Sequence, residues 1–200
     1  MEGILYLVSA SPRRRELLKQ IGVHFETLLL RSGPERGFDV DETPLPGEEA
    51  VRYAERIALA KANAGWKYLQ QRGLPVHPVL GADTVVSLDG VIFGKPGSAE
   101  NAVSMLRALS GREHEVITAV SIRVGERVEL KISRSKVKFC ELGEKEIRDY
   151  VQTGEPMDKA GGYAIQGRGA RFVEFLQGSY SGVMGLPLFE TAALLKEMGL

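Results

Sequence analysis

Ser9-Ala10-Ser11-Pro12-Arg13-Arg14 sets two hydroxyls and two guanidiniums where an apolar run meets a helix start. Free backbone N–H groups and the helix dipole favour an anion there, and arginine forks match phosphate oxygens. The plainer alternative is a capped helix with solvated arginines, although arginine in the first turn works against the dipole. Gly81-Ala82-Asp83-Thr84 places a carboxylate inside an apolar run. A buried carboxylate is costly unless it is paired or holds a metal; a strand-end aspartate bonded to a neighbouring loop is the alternative. Asp39-Val40-Asp41-Glu42 clusters carboxylates with no His or Cys nearby, a donor set for a hard cation such as Mg²⁺ or Mn²⁺. Alone, that run reads as a solvated acidic loop; beside Asp83 it reads as half of a metal site.

Two lysines complete the charged set. Lys95, in Gly94-Lys95-Pro96, is a compact charge suited to phosphate, or an exposed turn lysine. Lys61 falls at the edge of a helical apolar stripe, where a cation needs a partner or must snorkel. Asp158-Lys159-Ala160-Gly161-Gly162-Tyr163-Ala164-Ile165-Gln166-Gly167 is too glycine-rich for ordinary core and lacks Rossmann or P-loop spacing. It reads as a ligand-approaching loop or a surface loop. Gln166 carries both donor and acceptor, as reading a base edge requires. Gly178 to Pro187 is a second candidate for close approach.

These residues need a scaffold, and the pattern supplies one. Ile4 to Ser9 reads as a buried strand, followed by Ser11 as N-cap and Pro12 as the first position of a helix ending at Gly22. His24 to Leu30 reads as a strand and residues 31–46 as a loop. A long helix spans about Glu48 to Gln71, with Val51, Ala54, Ala58, Ala62, Gly65 and Leu69 on one stripe. Pro78 to Leu88 is a strand closed by an Asp89-Gly90 hairpin turn. Ala99 to Leu109 is a helix and Val116 to Val124 a strand. Val128, Leu130 and Ile132 alternate, but Val137 and Phe139 fall on the opposite phase, which predicts a bulge or bend near Ser133 to Lys136. Glu144 to Gln152 and Pro187 to Met198 read as helices, with an apolar run from Phe172 to Leu176 between them. The antiparallel hairpin over Val116 to Leu142 predicts an α/β fold with a mixed sheet.

The totals narrow the function. Twenty-six basic residues balance 26 acidic ones, so the basic excess of a general nucleic-acid binder is missing. One cysteine, Cys140, excludes an intrachain disulfide, and His24, His77 and His114 have no zinc-ligand spacing. No apolar run approaches a membrane span. The apolar N-terminal stretch precedes Arg13-Arg14-Arg15, the reverse of a signal peptide's order. The expectation is a cytoplasmic protein without nucleic-acid or membrane partners.

Taken together, the motifs resemble the Maf family of nucleoside triphosphate pyrophosphatases. The opening Ser9 to Arg14 run, Asp41-Glu42, Ala60-Lys61-Ala62, Gly81 to Thr84, Gly94-Lys95-Pro96 and Asp158-Lys159-Ala160-Gly161 follow in that family's order. The resemblance covers residues 1–200, which therefore read as one domain. Tyr163 to Gly167 and Val183-Met184-Gly185-Leu186-Pro187 look like the branch acting on dTTP and UTP, rather than on 7-methyl-GTP. The resemblance implies an elongated mixed sheet flanked by helices, with two lobes around a cleft, as in the inosine triphosphate pyrophosphatases.

It also implies Asp83 as proton acceptor and Arg13, Thr84 and Gln166 as positions that set substrate choice. The combined expectation is hydrolysis of a nucleoside triphosphate substrate to monophosphate and pyrophosphate. Ser9, Arg13, Arg14, Lys61 and Lys95 would bind phosphate, and Glu42 and Asp83 a divalent metal cation, Mg²⁺ or Mn²⁺. A nucleotide sensor without turnover, a nucleic-acid binder and a phosphotransferase are the competing classes; the last lacks a P-loop or kinase signature. A homodimer is left open. The resemblance leaves a house-cleaning role open, and the family's description as septum-formation inhibitors implies a cell-division role that no residue here explains.

Overall fold

The computed structural model describes residues 4–29 and 40–200. Leu30, Asp39 and most of the expected 31–46 loop lie outside the described residues.

The strands are β1 (Leu5–Val8), β2 (Phe25–Leu28), β3 (Val79–Leu88), β4 (Val91–Phe93), β5 (Glu113–Val124), β6 (Arg127–Phe139) and β7 (Val173–Gln177). The helices are α1 (Pro12–Gln20), α2 (Ala50–Arg72), α3 (Ala99–Leu109), α4 (Glu144–Gln152), α5 (Tyr180–Met184) and α6 (Leu188–Glu197). The sheet runs β2-β1-β3-β5-β6-β7, with β4 also on β3. β1 pairs in parallel with β2 and β3, and every other pairing is antiparallel. The mixed sheet anticipated from the hairpin is therefore present. Asp89 and Gly90 both take positive φ at the β3–β4 turn, the conformation that the Asp-Gly pair favours.

The sheet forks at β3. β5 occupies one edge from Val79 to Ser87. On the other edge β1 reaches only to Gly81, and β4 takes over at Val86. Between them Ala82 to Val85 has no strand partner on that edge among the described residues. Asp83 and Thr84 sit in this gap.

Alternation along β3 sends odd residues to one face and even residues to the other. On the odd face, Val85 packs with Ala54, Ile57 and Ala58 of α2, and Val79 with Trp66 and Leu69 further along α2. On the even face, Leu80 and Ala82 meet Leu17 and Leu18 of α1 and Leu194 of α6. Val86 belongs instead to the cluster built on α3, α4, Phe139 and Phe172. That cluster forms the second lobe, and the fork lies between the two.

Two glycines let α2 lie directly on the sheet. A Cβ on Gly81 would stand 2.5 Å from the Ala58 carbonyl and 2.6 Å from the Ala62 amide nitrogen. One on Gly65 would stand 2.4 Å from Val8. The close approach at Gly81 brings Lys61, between those two alanines, over the strand. Val51, expected in the buried stripe, is only half-buried, while Tyr53, Ile57 and Trp66 complete the inward face.

Of the bulge or bend expected in β6, the bulge is overturned. Its register with β5 runs unbroken from Glu113↔Lys138 to Val124↔Arg127, straight through Ser133 to Lys136. The apolar phase switches because the covering layer changes face. Ile132 packs on the α2 side, whereas Val137 and Phe139 point into the α3–α4 cluster. A register shift does occur at Lys138/Phe139, against β7. The short helix α5 was not anticipated, and β5 begins at Glu113 rather than Val116.

Candidate active site

The fork opens into a cleft of about 350 Å³. Ser9, Arg13, Arg14, Glu42, Lys61, Asp83, Thr84, Lys95 and Gln166 all line it, although they come from six separate stretches of chain. The structure thus brings these residues together; of the acidic run, Glu42 lines the cleft, the exposed Asp41 does not, and Asp39 lies outside the described residues.

Asp83 and Thr84 are neighbours on β3 and point to opposite faces. Asp83, 6% exposed, meets Lys61 of α2 at 2.7 Å from Oδ1 to Nζ. The same Nζ lies 2.7 Å from Glu42 Oε1. Lys61 therefore does not snorkel to solvent but joins the two carboxylates. Glu42 is held from α2: Tyr53 donates its hydroxyl to the Glu42 carbonyl at 2.9 Å, and Arg56 donates to the Thr43 carbonyl while pairing with Glu48. Burial raises the Glu42 pKa, but Lys61, with Lys95 and Arg14 further off, outweighs it and holds the carboxyl below its usual range. Lys95, more exposed, stands 3.9 Å from Glu42 Oε2.

On the opposite face, Arg14 donates from Nε to the Gly185 carbonyl at 2.7 Å and from Nη2 to Thr84 Oγ1 at 3.2 Å. Burial pulls its pKa below the ordinary arginine value, with Asp83 opposing; the guanidinium keeps its charge. Arg13 points toward Asp158, with 3.6 Å between Nη1 and Oδ2. Ser11 occupies the N-cap position of α1 and Pro12 follows, but the Ser11 side chain caps nothing. Its amide instead donates to Ser9 Oγ at 3.1 Å, which orients the Ser9 hydroxyl at the helix entrance.

Gln166 is exposed on a turn closed by the Gly167 amide and the Ala164 carbonyl. One carboxylate anchors that turn. Glu155 accepts from the Arg168 and Gly169 amides and from the Tyr150 hydroxyl, which itself accepts from the Ala164 amide. Burial raises the Glu155 pKa, yet these donors leave it lowered.

The arrangement is a row of cations facing two carboxylates that share one ammonium, with an amide-bearing turn at the side. That combination suits a polyphosphate with an attached polar ring. A match to the Maf-like protein family model runs over residues 4–198. The chain belongs to the Maf family. It is 59% identical to a dTTP/UTP pyrophosphatase of Aromatoleum aromaticum, covering 100% of this chain and 97% of that protein. It is 56% identical to one of Nitrosospira multiformis (98% and 95%) and 53% identical to one of Dechloromonas aromatica (98% and 97%). Its fold is similar to that of the Staphylococcus aureus Ham1 protein, with a TM-score of 0.54 and 16% identity over 98% of this chain and 99% of that one. That likeness concerns the fold alone, and it is the inosine triphosphate pyrophosphatase-like architecture expected.

Two contributors to this Maf cleft left no clear mark in the sequence: Thr118 on β5, opposite Thr84, bonds to it, and Glu155 braces the Gln166 turn. The Gly185 carbonyl, which anchors Arg14, lies in the Gly178 to Pro187 stretch expected to make a close approach. A polar residue inside an apolar strand was the signal available for Thr118. No helix among the described residues is long and apolar enough to cross a membrane.

Proposed function

We propose that this chain hydrolyses dTTP and UTP between the α and β phosphates, giving the nucleoside monophosphate and pyrophosphate. The carrying observation is Lys61 joining Asp83 and Glu42 within a cleft whose other wall holds Arg13 and Arg14. The substrate comes from the relatives, which are named dTTP/UTP pyrophosphatases over nearly their whole length.

In this reading Asp83 accepts a proton from a water whose oxygen attacks the α-phosphorus. The bond from that phosphorus to the bridging oxygen breaks, and pyrophosphate carries the released charge. Arg13, Arg14, Lys61 and Lys95 bind the phosphates and stabilise that leaving group. Ser9 and the amides at the α1 entrance add donors. Gln166 and Thr84 face the base.

A divalent cation belongs to this reading. Among the described residues no three His, Cys, Asp or Glu side chains gather as a metal cage. Mg²⁺ commonly needs no cage, because one or two carboxylates, waters and substrate phosphates complete its shell. Glu42 and Asp83 already converge on one cation, the Lys61 ammonium, so the pair fits an ion shared with the triphosphate. When bound, Mg²⁺ or Mn²⁺ there supplies charge neutralisation on the phosphates and a polarised water. We place the protein in the cytoplasm.

The test is a panel of nucleotides incubated with protein and Mg²⁺, with products separated and identified. Monophosphate and pyrophosphate in equal amounts, fastest from dTTP and UTP, is the expected result. Orthophosphate as the primary product would sink the bond assignment, and binding without turnover would leave a nucleotide sensor.

A further inference from the structure

Thr118 is 1% exposed and lies directly opposite Thr84 on β5. Its Oγ1 is 3.0 Å from Thr84 Oγ1 and 2.8 Å from the Gly182 carbonyl oxygen. A hydroxyl has one proton to give and two lone pairs with which to accept. The Gly182 carbonyl can only accept, so the Thr118 proton goes to it. The contact between the two threonines must then be made with the Thr84 proton. Arg14 Nη2, which can only donate, takes up one Thr84 lone pair at 3.2 Å. The chain therefore has one direction, from Arg14 to Thr84 to Thr118 to the Gly182 carbonyl. Thr84 has no proton left to offer the cleft, only a lone pair.

We propose that Thr118 is a positioning residue for substrate choice: it holds Thr84 Oγ1 as an acceptor, so the site takes a base edge that donates. The N3–H of uracil and thymine is such an edge; the bare N3 of cytosine is not. Gln166 cannot impose this choice alone, because an amide can turn over to present either polarity. Thr84 cannot turn while Thr118 and Arg14 hold both of its partners. The inference rests on the reading that Thr84 faces the base.

The experiment measures kcat/KM for UTP, dTTP and CTP with the wild type, Thr118→Ser and Thr118→Val, each checked by thermal melting. It adds 4-thio-UTP with the wild type. An acceptor facing an acceptor loses a hydrogen bond in a desolvated site, so the wild type should favour UTP over CTP by about tenfold or more. Thr118→Ser keeps the hydroxyl and should keep that ratio. Thr118→Val frees the Thr84 proton and should collapse the ratio several-fold, chiefly through a lower KM for CTP. A folded Thr118→Val enzyme with the wild-type ratio overturns the inference and leaves the dTTP/UTP assignment standing. Should Thr118→Val not fold, the analogue decides. It keeps N3–H but has a weak acceptor at position 4, so turnover close to that of UTP supports the inference and a CTP-like rate overturns it. A wild type indifferent between UTP and CTP overturns both the inference and the reading beneath it.

Discussion

Lys61 and Asp83, 22 residues apart in sequence, meet at 2.7 Å because Gly81 lets α2 rest on β3. The same ammonium reaches Glu42 on a loop outside the sheet. One lysine thus organises both carboxylates of the cleft, and its placement depends on the absence of a side chain two residues before the aspartate.

Gly81→Ala should damage stability and turnover together. The added carbon would meet the backbone of Ala58 and Ala62 below 3.0 Å, where no flexible side chain can yield. Overpacking of this kind costs about 1–3 kcal/mol, and the displaced helix carries Lys61 with it. Denaturant melts and kcat on dTTP, measured on the same preparation, check both halves. An active enzyme with unchanged stability would refute the helix–strand argument.

Asp83→Asn should nearly abolish turnover while the fold persists. The amide has the shape of the carboxylate but is neither a base nor an anionic ligand. General-base catalysis is typically worth about 10²–10⁴-fold. Steady-state kinetics with Mg²⁺ decide, and wild-type turnover would remove Asp83 from the proposed role.

Lys61→Ala and Lys95→Ala should separate. Lys61 is 13% exposed and holds two carboxylates; Lys95 is 61% exposed and only approaches one. Loss of Lys61 should cost activity and on the order of 1–3 kcal/mol of stability, because it leaves Asp83 buried without its partner. Loss of Lys95 should raise KM with little change in melting. Equal effects at the two positions would contradict the difference in burial.

Gln166→Glu should reorder the pyrimidines, because a carboxylate accepts but does not donate. Wild-type CTP turnover should be weak but measurable. Glu155→Gln, which acts on the same turn from behind, should raise KM for dTTP more than it lowers kcat. A substrate panel with both variants provides the check. ATP or 7-methyl-GTP as the best wild-type substrate would displace the dTTP/UTP assignment within the same enzyme class.

His114 should set part of the acid limit of stability. Burial pushes its pKa from 6.5 down to about 4, against smaller upward pulls from the Arg112 backbone and Glu113. Its ring nitrogen Nε2 meets the hydroxyl of Tyr163, which is raised far above a normal tyrosine by the same burial. The folded state therefore resists the proton that the unfolded chain accepts. Stability is full above pH 6.5 and falls as pH drops from 6.5 toward 4, by roughly 3 kcal/mol in all. His114→Gln should flatten the slope between pH 6.5 and 5, above the range where ordinary carboxylates titrate. Parallel stability curves for the variant and wild type in urea would show the ring to be uninvolved.

The sequence by itself determined the local elements and the inventory of reactive groups. α3 and α4 run over the residues that their periodicity and caps indicate, and the Asp89-Gly90 turn forms where its φ demands allow it. Each motif that resembled the Maf family lies within the matched span. Such features are legible because they depend on neighbours a few residues away. Tertiary structure decided which face each residue serves. β6 keeps its register through the stretch where a bulge was expected, because α2 covers one face of its first half and α3 with α4 cover the other face of its second. Nothing local distinguishes that arrangement from a slip in phase. Likewise the fork between β1 and β4, the three-way contact at Lys61 and the bond from Thr84 to Thr118 arise only when distant strands pair. Pairing is set by burial of the whole sheet, so a hydroxyl's partner, and with it the direction of its proton, is fixed by residues far away in the chain.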